Sequence, residues 1–501
     1  MNKLAVFELG VNDIKLTIYK YTASGFFGAE SQIVEPVKLT QDMERDGYIK
    51  PARIQETISV LKNFRRIVDG AKIENFICYA NPVIAQARNQ IAFLDEVYKT
   101  VSLYFKVLST EEQISALHNA IMYSFSMTRG VIMQVGDYST EIIKFNRRVV
   151  TDSVSIPLGT VTLLDMVKEK SMADRMDKVV EIVTAEFKKH DWLYNLDEDS
   201  EFIGVGEVFE AVGKLSRKST RYPVDVAHNY EITTESFQNV YNLIRGLDLD
   251  KAKKLKGISE KRADIIAIGM AVAKVAYNEF VRNAVKVSIN GEMYGIVAKN
   301  LLGQTGEKPL LDILGYSLSS INEFYPTNIN PDNNYSLAVI LYKQLKVLHK
   351  LSRPYVKVLR IAASMCMSGK IISFENYQKN NFSVILNSNI YGASHKDIVL
   401  AAFVAANQNI DDFSLNEWVR YKDIVTDEDL EAVKKLAIII KMASMMNITG
   451  SSSIKDIACD VLGDTVILKT EVERDATLEI SQAMSIAGDF KKVYGKNLQI
   501  L

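Results

Sequence analysis

Residues 4–19 read LAVFELGVNDIKLTIY, and residues 130–145 read GVIMQVGDYSTEIIKF. Each stretch sets a short apolar run against a second strand pattern across a turn. The first turn is Gly10-Val11-Asn12-Asp13, and the second lies within Gln134-Val135-Gly136-Asp137-Tyr138. Glu8 and Gln134 take equivalent places, as do Gly10 and Gly136. Two halves that each open on strand, glycine turn and strand predict an internal duplication.

Working outward, helical spacing places Ile54, Ile58, Leu61 and Phe64 on one face over residues 54–69. Residues 76–79 read as a short buried strand, and residues 89–101 as a helix. A second long helix is predicted over 259–280, with Ser259 as N-cap and Ile265, Ile266, Gly269, Met270 and Ala273 along its packing face. This alternation predicts α/β architecture. After about residue 285 strand patterns become rare. Residues 322–334, with two prolines and five asparagines, read as a loop. Helices are expected near 336–351, 354–366, 396–407, 427–446 and 474–487, with a strand over 465–473. The domains are therefore expected at 1–125, 126–285 and 286–501.

Composition bounds the function classes. The 501 residues carry 48% apolar and 24% charged side chains, the balance of an ordinary globular protein with several domains. Sixty basic residues stand against 61 acidic ones, so the basic excess of a DNA-binding protein is absent. Cys78, Cys366 and Cys459 lie far apart and form no CxxC pair, which argues against disulfides and cysteine zinc sites. No run of 18 apolar residues and no signal peptide are visible, so a cytoplasmic protein without a membrane span is expected. The five histidines, His118, His190, His228, His349 and His395, have no metal-ligand spacing. The acidic run 197–201 reads as a solvated loop.

The order of short motifs along nearly the whole chain resembles the exopolyphosphatase/guanosine pentaphosphate phosphatase (Ppx/GppA) family. They include Gly47-Tyr48-Ile49, Ala87-Arg88-Asn89, Ser109-Thr110-Glu111-Glu112, Ser139-Thr140-Glu141, Gly159-Thr160-Val161 and Gly204-Val205-Gly206. The best match is KLKGISEKRADIIAIG at 254–269, and the tail GDFKKVYGKNLQI at 488–500 also fits. The resemblance implies a duplicated ribonuclease-H-like core, as in actin and sugar kinases, followed by a mostly helical HD-like domain. It also implies cleavage of terminal phosphate from polyphosphate, or of the 5′-phosphate from guanosine pentaphosphate, with Mg²⁺, and a homodimer.

Hydrolysis of a phosphoanhydride needs anion cradles, a metal and a base for water. Active relatives read D-x-G-S-N-S in the first hairpin, where this chain has Glu8-Leu9-Gly10-Val11-Asn12-Asp13. The second, D-I-G-G-G-S-T-E, is Gln134-Val135-Gly136-Asp137-Tyr138-Ser139-Thr140-Glu141. The resemblance assigns phosphate-binding places to Gly10, Asn12, Gly136, Ser139, Thr140 and Gly206, and leaves Glu8 and Glu141 as candidate metal ligands. Its catalytic glutamate falls on Gln113, or on Glu112 if the alignment shifts by one. The arginine of A-T-S-A-x-R is Ala85, and Glu207 follows Gly206 where the family has a small residue. The HD motifs become Met365-Cys366-Met367-Ser368-Gly369 and Tyr377-Gln378-Lys379-Asn380-Asn381, without imidazole or aspartate.

Lys343, Lys346, Lys350, Arg353, Lys357 and Arg360 recur at helical intervals interrupted by Pro354, and Lys214, Arg217, Lys218 and Arg221 form a second basic group. They read as solvated faces or as a grip for a polyanion. Three function classes result. One is a pseudoenzyme of this family that binds polyphosphate or guanosine polyphosphate with weak or no hydrolysis. Another is an active exopolyphosphatase using Glu8, Glu111, Glu112 or Glu141. The third is an ATPase of the wider actin-like fold, for which the altered hairpins offer little.

Overall fold

A computed structural model describes residues 1–41, 43, 46–169, 171–255, 257–258, 260–303, 310–325, 331–407 and 414–501. They form two compact units: 1–220 with 227–311, and 221–226 with 312–501.

The first unit is built on two mixed sheets. Strands β1 (Asn2–Leu9), β2 (Asp13–Tyr21), β3 (Phe27–Pro36), β4 (Phe76–Ala80) and β5 (Lys106–Val107) lie in the order β3-β2-β1-β4-β5. Strands β6 (Arg129–Val135), β7 (Thr140–Asn146), β8 (Val149–Ile156), β9 (Glu201–Val205), β10 (Glu231–Thr233) and β11 (Ala284–Ser288) lie in the order β10-β11-β9-β6-β7-β8. Both sheets pair an antiparallel meander with parallel strands, β1-β4-β5 in one and β6-β9-β11 in the other. This is the duplication predicted from the two hairpins and the ribonuclease-H-like α/β core that the family resemblance implies, with β10 as an added edge.

Helices cross between the parallel strands, and their apolar spacing explains them. Helix Pro51–Gly70 has Pro51 in its first turn, and buries Ile54, Ile58, Leu61, Phe64 and Val68. Helix Gln90–Val101 buries Phe93, Val97 and Val101. The long helix begins at Ala263, after a short turn at Glu260–Arg262; Ser259 lies outside the described residues. Ile266, Gly269, Met270 and Ala273 are buried in it.

Alternation along the strands decides which residues reach the site. Phe7 and Leu9 join the core under helix Pro51–Gly70. Leu4 and Val6 face the other way, against Val297 and Leu301 of helix Glu292–Gly303. Glu8 ends this second row. In the other half, Ile132 packs against Leu117 and Ile121 of helix Thr110–Met122, and Gln134 ends its row. The two covering helices touch where a Cβ on Gly295 would come 1.8 Å from the Ala116 carbonyl oxygen. A glycine is therefore required at this crossing.

The mixed fold was expected to end near 285, but the first unit runs on to Leu311, because helix Glu292–Gly303 packs against β1 and helix Thr110–Met122. The second unit is mostly helical. Helices Tyr355–Met365, His395–Ala406 and Asp427–Met446 bring Leu359, Ala402, Leu436 and Ile439 into one apolar core. The expected helix over 336–351 is broken into Pro331–Gln344 and Lys346–His349, with Lys350 in the left-handed conformation. Asn322–Phe324 and 331–334 are helical rather than loop, and 326–330 lie outside the described residues. The strand over 465–473 has two partners the periodicity did not reveal. It is β13 (Thr465–Val472), and its partners are β12 (Ile454–Leu462) and β14 (Asn497–Ile500), in the order β12-β13-β14. No described helix is long and apolar enough to cross a membrane.

Candidate active site at the paired hairpins

Both hairpin turns close by the same backbone hydrogen bond, from Gly10 N–H to the Asp13 carbonyl at 3.0 Å and from Gly136 N–H to the Ser139 carbonyl at 2.9 Å. A Cβ on Gly10 would lie 2.7 Å from the Asp13 oxygen, so this turn needs glycine. A Cβ on Gly159 would sit 2.3 Å from the backbone of Asp137 and Tyr138, which holds the second turn against the helix that starts at Thr160.

The side chains between the hairpins satisfy one another. Asn12 donates its amide to the Asp137 carboxylate. Arg262 Nη2 donates to Asp137 Oδ1 at 2.9 Å, and Thr160 Oγ1 donates to the same oxygen at 3.3 Å. Arg262 Nε lies 2.5 Å from Glu207 Oε2. Gly269 brings these last partners together: a Cβ there would lie 2.4 Å from Val208, so the helices beginning at Ala263 and Glu207 run in close contact. Burial pushes the carboxyls of Asp13 and Glu207 above their ordinary values.

A second cluster lies at the strand ends. Glu8 accepts from the Tyr79 hydroxyl at 2.9 Å and from Lys15 at 3.4 Å. The Glu8 charge, ahead of the opposing effect of burial, holds the Lys15 ammonium above its ordinary value. Gln113 and Gln134 both donate to Glu292 Oε1, at 2.7 and 2.8 Å. Burial, with the charges of Glu8 and Glu141 adding to it, pushes the Glu292 carboxyl up to about 7.

The residues singled out in the sequence fall into three groups. Gln113, Gln134, Glu8 and Asn12 carry side chains in the two clusters, and Gly10, Gly136 and Gly206 shape the backbone beside them. Gly206 has φ +89° and a Cβ there would meet only Gln134 Cγ, at 3.9 Å. Glu141 is buried; Ser139 and Ser155 donate to its Oε1, while its Oε2 has no partner. Burial raises its carboxyl above the ordinary value. Thr140 and Glu112 are engaged elsewhere. The Thr140 hydroxyl donates to the Leu158 carbonyl at 2.7 Å. Glu112 closes a capping box with Ser109 and pairs with Lys106 on the surface, so Gln113 is the residue that reaches the cluster.

Arg262 and Glu292 had no assigned role in the sequence reading. Arg262 lies in the RADII segment just before an apolar helix, and Glu292 follows Asn290-Gly291 at a helix start. Among the described residues, no three His, Cys, Asp or Glu side chains converge as a metal site. In the second unit Cys366 is buried beside Asn334 and Ser444. Lys343, Lys346, Lys350, Arg353 and Lys357 are exposed, spread over three helices and the connection at 350–354 rather than along one face. Arg360 pairs with Asp312 at 2.6 Å.

A family model described as the Ppx/GppA phosphatase family matches residues 20–303. A bifunctional 3-dehydroquinate synthase/phosphatase of Fusobacterium nucleatum subsp. nucleatum is 22% identical over 281 residues, 54% of this chain and 41% of that protein. The match thus spans about two fifths of that curated relative's length. The crystal structure of the Aquifex aeolicus Ppx/GppA family member superposes with a TM-score of 0.53 at 21% identity, covering 60% of this chain and 98% of that one. An exopolyphosphatase from Cytophaga hutchinsonii gives 0.52 at 17% identity, covering 60% and 98%. At these identities the structural likenesses establish the fold.

Proposed function

We propose that this chain, which belongs to the Ppx/GppA phosphatase family, binds polyphosphate or a guanosine polyphosphate at the paired hairpins and hydrolyses it weakly or not at all. The observation that carries this reading is that the anion donors already hold internal anions. The Asn12 amide, the Thr160 hydroxyl and the Arg262 guanidinium all donate to Asp137. An incoming phosphate must compete with a carboxylate that costs no association entropy.

The family implies Mg²⁺, and the donor set here does not fit it. Position 134 is an amide, Glu8 is held by Lys15 and Tyr79, and Glu141 is sealed among serines. Hard divalent cations need several free oxygens converging on one point. No step is therefore routed through a metal.

The test is binding of long-chain polyphosphate by wild type and Asp137→Gly across a salt titration. Salt-sensitive binding is expected, tightened about tenfold in the variant as three donors are released. Equal affinities would sink the role given to Asp137. Mg²⁺-dependent phosphate release at ordinary enzyme rates would instead establish an active exopolyphosphatase.

A further inference from the structure

Glu292 holds a distinctive place in the site. The resemblance puts a catalytic glutamate at position 113 and a metal-binding aspartate at 134, and both are now amides. Both amides donate to one oxygen of one carboxylate, Glu292 Oε1. Oε2 takes none of the hydrogen bonds described for this residue and is not among the sealed polar atoms; Glu292 itself is only part-buried. The close crossing at Gly295, one turn further along the same helix, fixes the carboxylate between the two halves. A part-buried carboxylate with one oxygen clamped by two donors, and none of its described hydrogen bonds on the other, is oriented to accept a proton from water at that second oxygen.

We propose that Glu292 is the water-activating carboxylate of this chain, and that the slow hydrolysis it performs passes through Glu292 rather than residue 112 or 113. This rests on reading the hairpins as a phosphate site. In the step, a water oxygen bonds to the terminal phosphorus. The bridging P–O bond breaks, and its electron pair leaves on the shortened chain. The water's proton passes to Glu292 Oε2 and then to solvent.

The surrounding charges set when Oε2 can accept. Glu8 on β1 and Glu141 on β7 oppose the ionised form, with burial the larger effect. The amides of Gln113 and Gln134 favour it, and Lys15 on β2 interacts with the same charge. Tyr79 on β4, which faces the cluster, donates to Glu8. With the carboxyl at about 7, the base form is present at pH 8 and mostly lost at pH 6.

The experiment measures phosphate release from tripolyphosphate by the full chain between pH 5.5 and 9, with and without Mg²⁺, beside polyphosphate binding. Wild type should release phosphate slowly, with a rate that falls as pH drops through about 7. Glu292→Gln should lose about 100-fold, to the no-protein background, and lose that pH limb while still binding polyphosphate. The double variant Gln113→Glu/Glu292→Gln, which moves the carboxylate to the facing helix, should recover part of the rate. Wild-type rates in Glu292→Gln, or no release by wild type despite binding, would overturn the role of Glu292 alone. Absence of salt-sensitive binding in both proteins would overturn the phosphate-site reading beneath it.

Discussion

The two hairpins share a backbone and differ in how they treat charge. In the first, Glu8 faces Lys15 across the strands, and the acid has a cation and a tyrosine hydroxyl for partners. At the equivalent pair in the second, Gln134 faces Glu141, and that acid is buried among serines, with no cation paired to it among the described residues. Both turns keep the glycine hydrogen bond that forms them. Backbone shape is thus held by glycine sterics and local hydrogen bonds, which side-chain exchange leaves untouched. The chemistry of the strand ends changes independently of the scaffold.

The largest expected effect tests the scaffold. Gly159→Ala puts a Cβ 2.3 Å from the backbone of the second turn, where neither side can yield cheaply. A loss of about 3 kcal/mol is expected in urea unfolding, from overpacking. An unchanged midpoint would mean that the second turn is not held as described. Next, Lys15→Met leaves the part-buried Glu8 carboxylate without its cation, at a cost of about 1–2 kcal/mol.

The second hairpin should respond in the opposite sense. The folded-state carboxyl of Glu141 lies above its ordinary value of 4.5, because of burial. Its contribution to stability is therefore full below that ordinary value and lost as pH rises through the folded one. Glu141→Gln keeps an acceptor for Ser139 and Ser155 without the charge. It should match wild type near pH 4 and exceed it by about 1 kcal/mol at pH 8. A variant less stable than wild type at pH 8 would show that the two acids are held alike.

Much of the fold was legible because periodicity and glycine placement report it directly. The repeated strand–glycine–strand pattern gave the duplication, and helical spacing gave Gln90–Val101 to within one residue and Pro51–Gly70 to within three. Strands β12 and β14 were missed because short amphipathic segments between helices carry little period-two signal. In the site, Gln113 was legible by alignment, whereas its neighbour Glu112 is a capping residue, a role that the Ser109-to-Glu112 spacing itself encodes. Glu292 was not legible. Its role comes from a meeting of two helices 179 positions apart in sequence at that contact, which no local pattern encodes.

The short segment 221–226 belongs to the second unit although the chain on both sides of it belongs to the first. Val224 lies in the helical core, and Tyr222 hydrogen-bonds His395 at 3.0 Å. The polypeptide therefore passes from one unit to the other three times, at 220/221, 226/227 and 311/312. A gene cut after Leu311 would not follow the boundary between the two units. The carboxy-terminal piece would lack a stitch of its own core, and the amino-terminal piece would carry six residues whose packing partners had been removed. The helical unit is therefore joined to the chain of the first at two places, through the 221–226 segment and at 311/312.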